Sequence, residues 1–151
     1  MKIFIGADHR GFDFKNKIIG ILKSLRHEVV DLGVHDNLKS YDYPKAAYQV
    51  ATRVAIGKND RGILVCMSGI GQTIAANKVK GAYAALCHDV ESARLSREHN
   101  NANVLVLGAK FVKSGQLKRI ISTWLTTEFE GGRHLRRVNQ IKKIEKGLAL
   151  K

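Results

Sequence analysis

Five short, almost continuously apolar segments alternate along the chain with longer segments of helical periodicity. The apolar segments are IFIGA (3–7), EVVDL (28–32), GILVC (62–66), AYAALC (82–87) and NVLVLG (103–108). Strands that are apolar on both sides of the pleat are buried on both faces, as in a parallel sheet. Parallel strands need crossover connections, which place helices on both faces of the sheet. The alternation therefore predicts an α/β fold, a three-layer αβα sandwich around a five-stranded parallel sheet.

The segments between the strands predict amphipathic helices. The apolar positions of the first two are Phe14, Ile18, Leu22 and Leu25, then Tyr43, Ala47, Val50 and Val54. Further helices are expected to begin near Ile70, near Asp89 and near Ser114, with Ser114 as a candidate N-cap. A final amphipathic helix is predicted over residues 133–151, packing on its own domain or on a partner subunit. Its apolar positions are Leu135, Val138, Ile141, Ile144 and Leu148.

Length and composition favour one soluble domain over residues 1–151. No apolar run approaches the roughly 20 residues that a membrane-spanning helix needs. The N-terminus turns polar at Asp8, so its apolar stretch is too short for a secretion signal. Two cysteines without such a signal indicate free thiols and a cytoplasmic location.

The strong positive charge leaves three explanations open. The net charge is +13, and residues 110–151 carry 11 Lys and Arg against 3 Glu, a net of +8. Nucleic acid, a phosphorylated substrate or a general bias toward lysine would each account for this excess. The few aromatic residues are not interleaved with the basic ones, which argues against a stacking surface for single strands.

A cysteine and two glycines lie where the third strand is expected to pass into a helix. In CMSGIG (66–71), Gly69 and Gly71 form a turn whose free N–H groups favour an anion. A dinucleotide fingerprint would have a third glycine near position 74, where Ile74 stands, although Asp89 lies twenty residues after Gly69. A nucleotide site is therefore less favoured but still open, as is a purely structural turn.

The thiol in this turn has two interpretations. Cys66 is either a small buried hydrophobic residue or a reactive group, because a helix N-terminus favours the thiolate and lowers the pKa of the thiol. A thiolate there would serve as a nucleophile or a general base. Cys87 lies inside an apolar run and is predicted to belong to the core.

Three polar clusters are expected at the carboxyl ends of the strands, where parallel sheets bind ligands. They are ADHRG (7–11), CMSGIG (66–71) and REHNNAN (97–103). Asp8 is a candidate active-site residue or a helix cap, and His9 and His99 are candidates for function or ordinary loop and helix-end residues. The histidines show no close metal-ligand spacing, so no metal site is predicted. Arg133 and Arg137 stand one helical turn apart and would grip a phosphate together, or form a solvated basic face.

Five blocks taken together resemble the ribose-5-phosphate isomerase B family, which includes galactose and allose 6-phosphate isomerases. The blocks are GADHRGF (6–12), YDYP (41–44), CMSGIGQTIAANK (66–78), SREHNNANVLVLG (96–108) and FEGGRHLRRV (129–138). The resemblance implies a Rossmann-like sandwich that works as a homodimer or tetramer with shared active sites. It also implies a cofactor-free and metal-free isomerase acting on sugar phosphates in the pentose phosphate pathway.

The resemblance assigns roles by position. Cys66 is implied to be the base that moves the proton through a cis-enediolate, with Asp8, Ser68 and His99 assisting ring opening. The anion hole for the enediolate is implied to be the backbone of Ser68, Gly69, Ile70, Gly71, Gln72 and Thr73. Tyr43 and Asn100 lie near the sugar, and the implied phosphate-binding residues are His9, Arg133 and Arg137.

Three positions depart from the family pattern. Met67 stands where many members have glycine, Ser68 replaces a common threonine, and Lys110 stands where arginine is frequent. Pentose and hexose phosphates both remain possible substrates at this stage. A nucleotide-binding module and a nucleic-acid-binding protein remain as alternatives of a different class.

Overall fold

The computed structural model describes residues 1–57 and 59–150, and the predicted alternation of strands and helices is confirmed in it. The strands are β1 (Lys2–Ala7), β2 (Glu28–Asp31), β3 (Arg61–Cys66), β4 (Ala84–Cys87) and β5 (Val104–Gly108). The helices are α1 (Phe12–Ser24), α2 (Tyr43–Ile56), α3 (Ile70–Ala76), α4 (Val90–Glu98), α5 (Leu117–Thr126) and α6 (Gly132–Glu145).

The five strands form one parallel sheet in the order β2-β1-β3-β5-β4. Ala7 at the end of β1 pairs with Val65, and Cys66 at the end of β3 pairs with Gly108. The carboxyl ends of β1, β3 and β5 therefore meet at the centre of one edge of the sheet. This edge is where a parallel sheet places its ligands.

Alternate residues of the central strands face two separate apolar cores. Ile63 and Val65 point to a core completed by α1, α4 and α5, whereas Leu64 points to one completed by α2 and α3. Trp124 of α5 is fully buried in the first core. The predicted three-layer sandwich is thus confirmed. Within residues 1–57 and 59–150, no helix has both the length and the apolar character needed to cross a membrane.

Two predicted helix boundaries are wrong. Ser114 does not cap a helix but begins a 3-10 turn over Ser114–Gln116, after which α5 starts at Leu117. The final helix ends at Glu145 instead of continuing to residue 151. Gly147 adopts φ 71, its N–H donates to the carbonyl of Ile144, and the N–H of Leu148 donates to that of Lys143. These two bonds form a Schellman cap, which ends a helix at a left-handed glycine.

Candidate active site

One group of predicted site residues is brought together at the carboxyl edge of the sheet. We call it the carboxyl-edge cluster, and it comprises Asp8, His9, Tyr43, Cys66 and residues 68–73. Asp8 follows β1 directly, and Cys66 is the last residue of β3. Because β1 and β3 are neighbours in the sheet, residues 58 positions apart in sequence become adjacent in space.

The loop after β1 is pressed against the end of β3. The N–H of Gly11 donates to Oδ1 of Asp8 at 2.9 Å, and the N–H of Asp8 donates to the carbonyl of Val65 at 3.3 Å. A Cβ on Gly11 would lie 2.4 Å from that same carbonyl oxygen. Only glycine permits this approach, which places the carboxylate of Asp8, itself buried, beside the thiol of Cys66.

His9 and Tyr43 also lie at this edge, as predicted. The N–H of Tyr41 donates to Nδ1 of His9 at 3.1 Å, so in a neutral ring the hydrogen is on Nε2, which then remains a donor. The ring of Tyr43 covers Gly71 so closely that a Cβ there would lie 2.5 Å from the ring carbon Cζ. The glycine turn and the start of α2 are therefore packed against each other.

The turn after β3 directs backbone donors at the thiol. Gly69 adopts φ 83, a left-handed conformation that favours glycine, and its N–H donates to Sγ of Cys66 at 3.0 Å. The backbone N–H groups of Ser68 and Gln72 also form hydrogen bonds to this sulfur that lower the pKa of the thiol. Two hydrogen bonds from Thr73 stabilise the turn. Its N–H and its Oγ1 donate to the carbonyl of Gly69 at 3.0 and 2.8 Å.

The expectation of a lowered thiol pKa is wrong. Burial raises the pKa of Cys66 above its ordinary value, and the charge of Asp8 acts in the same direction. The three N–H groups lower the pKa, but by less than burial and the charge of Asp8 together raise it. A helix N-terminus favours the thiolate only when the loss of hydration does not cost more. Cys87 is confirmed as a core residue, and burial raises its pKa to about 11.

The other predicted residues lie at the opposite, amino edge of the sheet. His99 and Asn100 follow α4 and precede β5, whose first residue Val104 pairs with Gly62 at the start of β3. At roughly 3.3 Å per residue, the length of β3 separates the two edges by about 17 Å. The prediction that REHNNAN joins the carboxyl-edge cluster is therefore wrong within one chain, because that segment leads into a strand instead of leaving one.

Arg133 and Arg137 lie on the first turns of α6, exposed, at the same amino edge as His99. The ring of His134 between them stacks on the ring of His99, which fixes the start of α6 against the end of α4. We call His99, Asn100, Arg133 and Arg137 the amino-edge group. The structure thus divides the predicted site residues into two groups on opposite edges.

A cluster of three side chains at the amino edge was missed by the sequence analysis. One nitrogen each of His99 and His134 and a carboxylate oxygen of Glu130 lie within 4.8 Å of one another. The separation of 35 residues between the two histidines hides this cluster from any spacing rule. Such a donor set is of a kind that metals use, although its ring geometry, described below, favours a different role.

Comparison with known proteins gives consistent similarities over nearly the whole length. The sequence profile of the family described as Ribose/Galactose Isomerase matches residues 3–141. Ribose-5-phosphate isomerase B of Escherichia coli is 45% identical over 144 residues, 95% of this chain and 96% of that protein. The structure of ribose-5-phosphate isomerase B from Clostridium thermocellum is 49% identical with a TM-score of 0.94, covering 97% and 99% of the two chains. The enzyme from Mycoplasma genitalium, solved with bound ribulose-5-phosphate, is 44% identical with a TM-score of 0.92 and covers 96% of each chain.

Proposed function

The chain belongs to the ribose/galactose isomerase family and is an isomerase, and from this premise we propose that it interconverts ribose 5-phosphate and ribulose 5-phosphate with Cys66 as the base. The substrate is inferred from relatives that carry this activity in their names, one of them solved with the ketose bound. The observation that carries the assignment of the base is the 3.0 Å contact between Sγ of Cys66 and the N–H of Gly69. Because of this contact, a candidate base and a turn that can stabilise an anion lie next to each other in one short segment.

The reaction begins with opening of the sugar ring. The bond between C1 and the ring oxygen breaks as the C1 hydroxyl gives its proton to Asp8 and the ring oxygen takes one from His99. Ser68, at the rim of the turn, holds a sugar hydroxyl. Tyr43 and Asn100 bind the remaining hydroxyl groups, and these contacts orient the open chain for the next step.

Proton transfer follows on the open-chain aldose. The thiolate of Cys66 removes the proton from C2, and the electrons of that bond form the enediolate as negative charge moves to the carbonyl oxygen. The N–H groups in the first turn of α3, at Ile70, Gly71 and Gln72, have no acceptor within the helix and so stabilise this charge. The hydrogen of the C2 hydroxyl then moves to the oxygen on C1, and return of the first proton to C1 forms the C2 carbonyl of the ketose. A raised thiol pKa makes the thiolate a stronger base but adds the free energy of its formation to the barrier.

We infer that a complete site contains two copies of the chain. The phosphate would bind to His9 of one copy and to Arg133 and Arg137 of the other, because these groups lie about 17 Å or more apart along one sheet. Exposed apolar side chains flank both edges, which is typical of an interface between subunits. They are Met67, Ile70, Ile74 and Phe111 near the turn, and Leu135, Ile141 and Ile144 on α6.

We further propose that residues 1–151 act as one isomerase domain without cofactor or metal in the cytoplasm. The family profile covers residues 3–141 without interruption, and all five described strands belong to one sheet. Both cysteines are free thiols, and a thiol base works only while it is reduced. This requirement supports a reducing compartment.

The direct test is an assay of the purified protein with ribose 5-phosphate, in which formation of ribulose 5-phosphate is followed. Allose and galactose 6-phosphates are assayed in parallel, and faster turnover of a hexose phosphate would reassign the substrate. Cys66→Ala should abolish turnover while the thermal unfolding midpoint stays within a few degrees, since alanine fills most of the buried site. Cys87→Ala is the matched control and should retain activity. Activity in Cys66→Ala would reject the thiol as the base.

The two-copy site is tested by mixing two inactive variants. In a mixed dimer of Cys66→Ala and His99→Gln, one site carries both substitutions and the other carries neither. Random exchange of subunits with two-fold symmetry should therefore restore about a quarter of the parent activity. If each chain held a complete site, mixing would restore nothing.

A further inference from the structure

A pair of stacked histidines lies at the amino edge. The ring centroids of His99 and His134 are 4.1 Å apart and the ring planes differ by 6°. His134 is only 4% exposed, whereas His99 is half-buried. A flat contact of this kind restricts rotation of the outer ring, so the buried His134 fixes the plane in which His99 presents its nitrogens.

Glu130 contacts this histidine pair through both its side chain and its backbone. Its carboxylate Oε2 lies 3.2 Å from Nε2 of His134, the nitrogen that also accepts from Nε of Arg133 at 3.4 Å. Its backbone N–H donates at 3.1 Å to the carbonyl of Glu98, the residue directly before His99. One residue of the loop before α6 therefore orients the inner ring and anchors the backbone that carries the outer one.

The surroundings of His134 keep it neutral. Burial lowers its pKa, and the charges of His99, Arg133 and Arg137 act in the same direction. Glu130 opposes them by less. Two imidazolium rings at this separation would repel each other strongly. The stack therefore disfavours a charge on His134 whenever His99 is protonated.

The same geometry argues against a shared metal ion. The lone pair of an imidazole nitrogen lies in the plane of its ring, and these two planes are nearly parallel. One ion cannot lie in both planes, so it could not bind both histidines unless a ring rotated and the stack broke. Stacking and metal binding by this pair therefore exclude each other.

We propose that His134, held by Glu130, is a positioning residue that orients His99 and leaves it as the proton donor for ring opening. The inference rests on the proposed function, in which His99 gives a proton to the ring oxygen of the sugar. His134 does not touch the reacting atoms and acts only through His99. It should therefore affect the ring-opening step and leave the later proton transfer unchanged.

A comparison of two reactions separates these steps. Ribose 5-phosphate is a closed ring that must open before it reacts. Ribulose 5-phosphate has its C5 oxygen blocked by phosphate, so it stays open, and uptake of deuterium from D₂O at C1 needs only the base. In His134→Ala, the kcat for ribose 5-phosphate should fall roughly 10- to 100-fold, the range for a misplaced catalytic group. The KM and the rate of C1 exchange, followed by proton NMR, should stay within about two-fold of the parent.

Two further variants test the stack and its support. His134→Phe keeps a flat ring of similar volume and should recover most of the kcat lost in His134→Ala. Glu130→Ala removes the carboxylate and should lower the kcat for ribose 5-phosphate by an intermediate amount, again without changing exchange.

Three results would overturn the proposal. They are an equal fall of exchange and isomerisation in His134→Ala, an unchanged kcat in that variant, or a loss in His134→Phe as large as in His134→Ala. Failure of the proposed function would look different, because the parent protein would then catalyse neither reaction. A melting curve of each variant at the same protein concentration reports whether the fold is retained.

Discussion

Replacement of Gly69 by alanine should destabilise the protein for two reasons that can be measured separately, backbone strain and a steric contact. Gly69 has φ 83, and an L-residue in this region costs about 1–2 kcal/mol. Its Cβ would also lie 2.3 Å from Cδ1 of Leu86, and overpacking of this kind costs about 1–3 kcal/mol. The free energy of unfolding should therefore fall by about 2–5 kcal/mol in Gly69→Ala. Activity should fall as well, because the N–H that donates to Cys66 is carried by this residue.

Urea unfolding at a fixed protein concentration measures this loss. The matched control is Gly115→Ala, where a Cβ would meet nothing within 4 Å and no backbone strain arises, so stability should change little. The effect of Gly69→Ala is then measured again in a Leu86→Ala background, which removes the close contact but keeps the backbone strain. About 1–2 kcal/mol should remain there. A loss as large as in the parent background would show that the contact with Leu86 contributes nothing, and a loss below about 1 kcal/mol in both backgrounds would show that the left-handed backbone costs nothing.

Three other predictions concern pH, phosphate binding and the ion pair of a buried lysine. Burial raises the pKa of Cys66, so both the thiolate fraction and kcat/KM should rise with pH through and beyond about 8.5, the ordinary pKa of a thiol. A kcat/KM that stays constant between pH 6 and 8 would contradict this expectation. Each of the variants Arg133→Ala and Arg137→Ala should raise the KM roughly 10-fold or more with a smaller change in kcat, because the phosphate group lies away from the reacting carbons. An effect on kcat alone would show that these arginines do not bind the phosphate. Nζ of the fully buried Lys15 pairs with both carboxylate oxygens of Asp31 at 2.7 Å, although the side chain of Asp31 is 30% exposed. Lys15→Met should therefore lower the free energy of unfolding by about 1–3 kcal/mol in denaturant titrations, and a neutral result would show that the pair is not needed for stability.

Most of the fold could be predicted from local pattern alone. The five apolar runs become strands because burial on both faces demands apolar residues at every position. Pro44 lies in the first turn of α2, and Asp89 caps α4 with Ser92 in a reciprocal pair of bonds. Two helix boundaries failed, the Ser114 cap and the end of α6. The second failed because the apolar spacing continues to Leu148 after Gly147 has already turned the backbone. A single left-handed glycine outweighs a periodic pattern.

The two edges of the site could not be told apart by motif. The segment that contains His99 is polar and borders a strand, just as the loop at Asp8 does. It leads into β5, however, whereas the loop at Asp8 follows the end of β1. The direction of the chain through a parallel sheet decides which edge a loop occupies. His134 was missed for a related reason, since its partner His99 is distant in sequence and the contact exists only after folding.

The chemical groups and the alternation of elements can be read from the sequence, because residue type and periodicity are local properties. The sequence was enough to identify the thiol of Cys66, the turn at Gly69 and the family resemblance. Folding alone establishes the strand order, the burial that raises the pKa of Cys66, and the separation of the two groups on opposite edges. These properties depend on which distant segments become neighbours and on how much water their packing removes, and neither is encoded at any single position.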